Sequence, residues 1–166
     1  MANKAAFSTD EWNQVLGGAF IAGFAVTAAD PSGLWGLFKE TFASGRAVME
    51  AKSNATASEL SKAIVSDMET SEGRSAAQAF VKSRLQGAKR EEIKQRAIDA
   101  LRSAAAIVGQ KTPNEAAAYK SWLLQIANSV AEASKEGGFL GFGGVAVSDA
   151  EKATLSEIAS ALGTRV

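Results

Sequence analysis

Hydrophobic and polar positions along the chain recur at helical spacing almost throughout. Leu34, Leu37, Phe38, Phe42 and Met49 follow one such stripe. Ile93, Ala97, Leu101, Ala104 and Val108 follow another, and Tyr119, Trp122, Leu123, Ile126 and Val130 a third. Leu155, Ile158 and Leu162 form the last. The stretch 15–29 differs: it carries no charge, and its apolar residues wrap the whole circumference of a helix. Fifteen residues reach roughly 22 Å as a helix, short of a hydrocarbon core of about 30 Å, so the pattern predicts a central buried helix.

Start and stop signals divide the pattern into about seven helices. Thr9 is a candidate N-cap, with Asp10 and Glu11 suited to the positive helix start. The breaker cluster ADPSGLWG leads to a second helix over 37–52. Thr56 and Glu59 have capping-box spacing ahead of a third, and 71–85 forms a fourth that ends near Gly87. The fifth runs to Gly109 as its stop, and Thr112 and Pro113 open the sixth. Ser148 and Glu151 form a second capping box, launching a helix that ends at Gly163. No run is long enough and rich enough in β-branched residues for a sheet, so the expected fold class is all-α. A single domain over 1–166 is expected, with 1–8 as a flexible N-terminus.

Composition narrows the chemistry. The chain has neither cysteine nor histidine, which removes disulfides, thiolate nucleophiles, Cys/His zinc sites and histidine-based triads. Lys plus Arg and Asp plus Glu number 18 each, so no global field draws the chain to an anionic partner. The stretch 82–102 holds a local basic excess, and pairs such as Glu92 with Arg96, four apart, read it as a solvated helix face rather than a nucleic-acid surface. GFLGFGGV lacks the Gly-Lys-Ser/Thr and the preceding strand of a phosphate loop. No serine lies in a Gly-x-Ser-x-Gly elbow, and no carboxylate pair is singled out for acid–base work, so no catalytic residue and no cofactor is expected. Acidic residues ahead of the first apolar run argue against an export signal, leaving the cytoplasm as the expected compartment.

One pattern occurs twice. GLWGL at 33–37 and GFLGF at 138–142 each place two bulky apolar residues between glycines. A shift of 105 positions also pairs Ala28 with Ala133 and Gly36 with Gly141, which suggests a duplicated pair of helical halves. The loop hydrophobes have two readings: core plugs at helix–helix connections, or a partner-binding surface made of Trp35, Phe139 and Phe142.

The first copy, TAADPSGLWGLFKE, and the second, GGVAVSDAEKATLSEIASALG, resemble the repeating and closing segments of the TerB-like tellurite-resistance family. The resemblance covers the two ends of the chain. It implies an all-helical protein of two related halves, without enzymatic activity, acting in tellurite, metal or stress resistance through a protein partner. It also implies metal ligands by the loops, at Asp30, Glu40, Asp149 and Glu151. The sequence departs from the family where apolar GGVAV replaces an Asp-Gly, and where Lys135 stands at the position a second Asp30 would take. Ca²⁺ wants six to eight oxygens, so Asp30 reads equally as a helix cap and Glu40 as a solvated side chain. Self-association stays open. The reading from a different class is a membrane-associated protein that inserts the apolar hairpin 15–38.

Overall fold

The computed structural model describes residues 4–29, 52, 58–136 and 147–164. These contain a 3₁₀ turn at Lys4–Ala6 and six α-helices: α1 (Thr9–Ala29), α2 (Glu59–Met68), α3 (Ser71–Leu85), α4 (Arg90–Lys111), α5 (Pro113–Glu136) and α6 (Asp149–Leu162). No strand occurs among the described residues. The all-α class therefore holds, while the helix expected over 37–52 lies outside the described residues except for Lys52.

The helix that carries the uncharged stretch is the axis of the bundle. α1 packs against all five other helices, and every residue from Val15 to Thr27 is buried. That is the arrangement expected of a helix with no polar face, since each direction around it must meet another apolar surface. The surrounding helices each turn one stripe inward. Ala97, Leu101, Ala104 and Val108 of α4 are buried, as are Tyr119, Trp122, Leu123 and Ile126 of α5 and Leu155, Ile158 and Leu162 of α6.

Two adjacent glycines let the bundle close around α1. A methyl group built on Gly17 would lie 2.3 Å from Phe80 Cδ1 of α3. One built on Gly18 would lie 2.4 Å from the Tyr119 hydroxyl of α5 and 3.4 Å from Ala104 Cβ of α4. Three helices thus converge on one turn of α1 because Gly17 and Gly18 present no side chains there. The Tyr119 hydroxyl uses the gap to donate to the Val15 carbonyl at 2.7 Å, which gives a buried phenol the partner that burial demands. At the α2–α3 corner, a methyl on Gly73 would meet the Asp67 carbonyl oxygen at 2.0 Å. The Gly73 N–H donates to Thr70 Oγ1 at 2.9 Å, capping α3.

Several ends differ in detail from the sequence reading. Ser8, not Thr9, caps α1: its Oγ accepts from Glu11 N–H at 3.3 Å, and its own N–H donates to Glu11 Oε2 at 2.8 Å. Ser58 caps α2, and Thr56 lies outside the described residues. Gly109 does not stop α4, which runs on to Lys111 because the Thr112 N–H still reaches the Val108 carbonyl at 2.8 Å. The Thr112 hydroxyl donates back to that same carbonyl. Gly163 ends α6 as expected, in the left-handed region at φ 66°. In the segment expected to be flexible, Phe7 is buried and Lys4 pairs with Asp67 at 3.0 Å.

The notch on α1 generates two predictions. Gly18→Ala should destabilise the protein by about 1–3 kcal/mol through overpacking, and Tyr119→Phe by about 1 kcal/mol through loss of one hydrogen bond. Because the added methyl and the hydroxyl compete for one space, the double variant should lose less than the sum in urea unfolding. The second concerns alkali. Burial pushes the Tyr119 phenol well above its ordinary value of 10.0. As pH rises through about 10 the unfolded chain releases this proton and the folded chain keeps it, so stability falls with further rise in pH. Tyr119 is the sole tyrosine, so tyrosinate absorbance should appear only with unfolding, and Tyr119→Phe should flatten the alkaline loss of stability.

Candidate functional site

Of the residues singled out from sequence, Asp149 and Glu151 can be placed. Asp30, Trp35, Glu40, Phe139 and Phe142 lie outside the described residues. Asp149 and Glu151 share the first turn of α6, which packs on α1, α4 and α5. Their environments are opposite. Asp149 is fully exposed, with Lys152 Nζ 3.6 Å away. Glu151 is buried, and its Oε2 accepts from the Ser148 N–H at 2.8 Å and from the Ser148 hydroxyl at 2.9 Å. Ser148 Oγ in turn accepts from the Glu151 N–H at 3.2 Å.

This is the capping box expected from the Ser-x-x-Glu spacing. It gives the Glu151 carboxylate a structural role, because the carboxylate satisfies the amide left free where the helix begins. The same device opens α1, where Glu11 faces the Ser8 N–H. There the Ser8 N–H, and after it Lys111 with Nζ 3.1 Å away, hold the Glu11 carboxyl below its ordinary range. Among the described residues no group of three or more acidic side chains is gathered closely enough to hold a metal ion.

The helical surfaces carry paired charges. Arg96 meets Glu92 at 3.2 Å, Arg102 meets Asp99 at 2.9 Å, and Lys94 crosses to Glu157 of α6 at 2.8 Å. The basic excess of 82–102 is thus partly compensated along its own helix. Among the described residues, the two groups with clearly displaced proton affinity, Glu11 and Tyr119, serve a helix cap and a helix contact. Neither has the setting of a catalytic acid or base.

Sequence spacing misses the carboxylates that work between helices. Asp67 of α2 accepts from the Trp12 indole N–H at 2.6 Å as well as from Lys4. Glu115 of α5 accepts from the Ser58 hydroxyl and, at 3.3 Å, from the Leu60 N–H, so it supplies a negative charge to the start of α2. No local motif announces either, since the partners are 55 or more positions apart. The Ser8–Glu11 box, by contrast, carries the visible signal Ser-x-x-Glu.

If Glu151 is a cap, Ser148→Ala should cost about 1 kcal/mol in chemical unfolding. Millimolar Ca²⁺ or Mg²⁺ should leave the melting temperature unchanged in calorimetry. A rise that Asp30→Asn and Asp149→Asn abolish would establish the metal reading instead. Comparison of the chain with protein-family models, with curated proteins and with solved structures finds no match.

Proposed function

We propose that the chain is a non-enzymatic helical module of the TerB-like kind, which serves tellurite, metal or stress resistance by binding a protein partner through its two glycine loops. The observation that carries the partner reading is the character of the described surface. Every exposed non-polar side chain among the described residues is alanine or Pro113. Protein interfaces draw their affinity from a few large anchors, chiefly Trp, Tyr and Arg. The large hydrophobes of the described helices are buried or packed against the core, which supports seeking the anchors among loop residues such as Trp35, Phe139 and Phe142.

Two features support related halves. The shift of 105 that matches the loops carries the bounds of α1 onto 114–134, within α5 (Pro113–Glu136). These two helices pack together, and Tyr119 touches α1 at Val15, one residue from its counterpart Gln14 under that shift. Near-equivalent positions meet in this way where helices cross close to a two-fold axis.

The membrane reading draws on the unbroken run from Val15 to Thr27. Here that run is enclosed by five helices, and no helix among the described residues is long and apolar enough to cross a membrane. Sedimentation with liposomes separates the two readings.

The partner reading predicts that replacing Trp35, Phe139 and Phe142 together by alanine abolishes co-purification of a partner identified by cross-linking in cells. The unfolding midpoint should stay within about 1 kcal/mol of the parent's stability. A loss of several kcal/mol, as expected for aromatic core residues, would assign the loops to the core and sink the proposal.

A further inference from the structure

The first described residues make a compact contact that the fold of α1 does not require. The Trp12 side chain is buried, and its indole N–H donates to Asp67 Oδ2 at 2.6 Å. Phe7 is also buried, its ring centroid 5.6 Å from that of Trp12. Lys4 Nζ lies 3.0 Å from the same carboxylate oxygen and 6.0 Å from the Trp12 ring centroid. The 3₁₀ turn between Lys4 and Phe7 sets this geometry, because the Phe7 N–H donates to the Lys4 carbonyl at 3.2 Å. A cation and an aromatic ring three residues apart thereby descend on one spot. The residues that join them, Ala5 and Ala6, are exposed, as is Lys4 itself.

α1 has its own anchorage beyond this segment. Ser8 and Glu11 form the capping box, and Glu11 pairs with Lys111 at 3.1 Å. The cap stands between the turn and the helix, so the turn can lift about Ser8 without uncapping α1. We propose that Trp12 and Asp67 form a receptor for a short segment with a basic residue three positions before an aromatic one. In the resting chain the receptor is filled by its own Lys4 and Phe7. The indole face offers apolar area and attracts a cation, and the carboxylate, fixed by the indole N–H, supplies the charge complement. Tethering holds the resident segment at an effective concentration in the millimolar range, so a segment in trans competes once the turn is weakened or withdrawn.

The test uses the full chain and, as probe, a fluorescently labelled synthetic peptide of its residues 1–9, followed by anisotropy. Phe7→Ala, which removes the aromatic half of the resident segment, should bind the peptide at least tenfold more tightly than the parent chain does. Asp67→Asn in that background should weaken the peptide severalfold. Circular dichroism first establishes that Phe7→Ala is folded. If it is not, the titration moves to Lys4→Ala, an exposed position, where losing one ion pair should favour the open turn about two- to fivefold. Peptide binding should rise in proportion. Equal binding to parent and variant, or binding indifferent to Asp67→Asn, would overturn the proposal and leave the turn as a fixed part of the fold.

Discussion

Three helices meet α1 closely where Gly17 and Gly18 leave it without side chains, and the contact of the Tyr119 hydroxyl with the Val15 carbonyl uses that place. A phenol buried without a partner would cost a few kcal/mol, so α5 must approach α1 until the hydroxyl reaches a backbone acceptor. Gly18 allows that approach, and Gly17 allows the Phe80 ring of α3 to enter beside it. Glycine in a helix interior costs about 1 kcal/mol relative to alanine, and two in succession are tolerated here because the packing they permit is worth more. With α4 also in contact through Ala104, the position of α1 within the bundle is set at one turn.

Around this centre, carboxylates fix the helix ends. Glu11 and Glu151 cap their own helices, Glu115 reaches across to the start of α2, and Asp67 ties α2 to Trp12. Each faces backbone or indole N–H donors at short range. A carboxylate already engaged in this way is poorly available as a metal ligand or a general base.

The sequence by itself determined the class of fold, the burial of the stretch from Val15 onward, the stripes on α4, α5 and α6, and the caps at Ser148 and Gly163. All of these are local: 3.6-residue periodicity and cap chemistry act within a turn or two, and neighbouring letters carry them. The same locality explains the misplaced ends. Ser8 and Thr9 are equally good capping residues, and which one serves depends on where the chain leaves the helix. Gly109 looks like a terminator, but α4 continues because the Val108 carbonyl still finds a helical donor in the Thr112 N–H.

Only the tertiary structure decided why α1 carries two adjacent glycines, what Tyr119 bonds to, and which acids join separate helices. Gly18 and Tyr119 are about 100 positions apart, and their meaning exists only when two surfaces touch at a distance set by atoms of both. Asp67 and Glu115 look like ordinary solvated acids until the packing of α2 against its neighbours brings an indole or a helix start to them. Of the candidate site, Glu151 was legible as a cap from its spacing to Ser148. Its burial, and the contrast with the exposed Asp149 two residues before, required the bundle that covers one face of α6 and leaves the other in water.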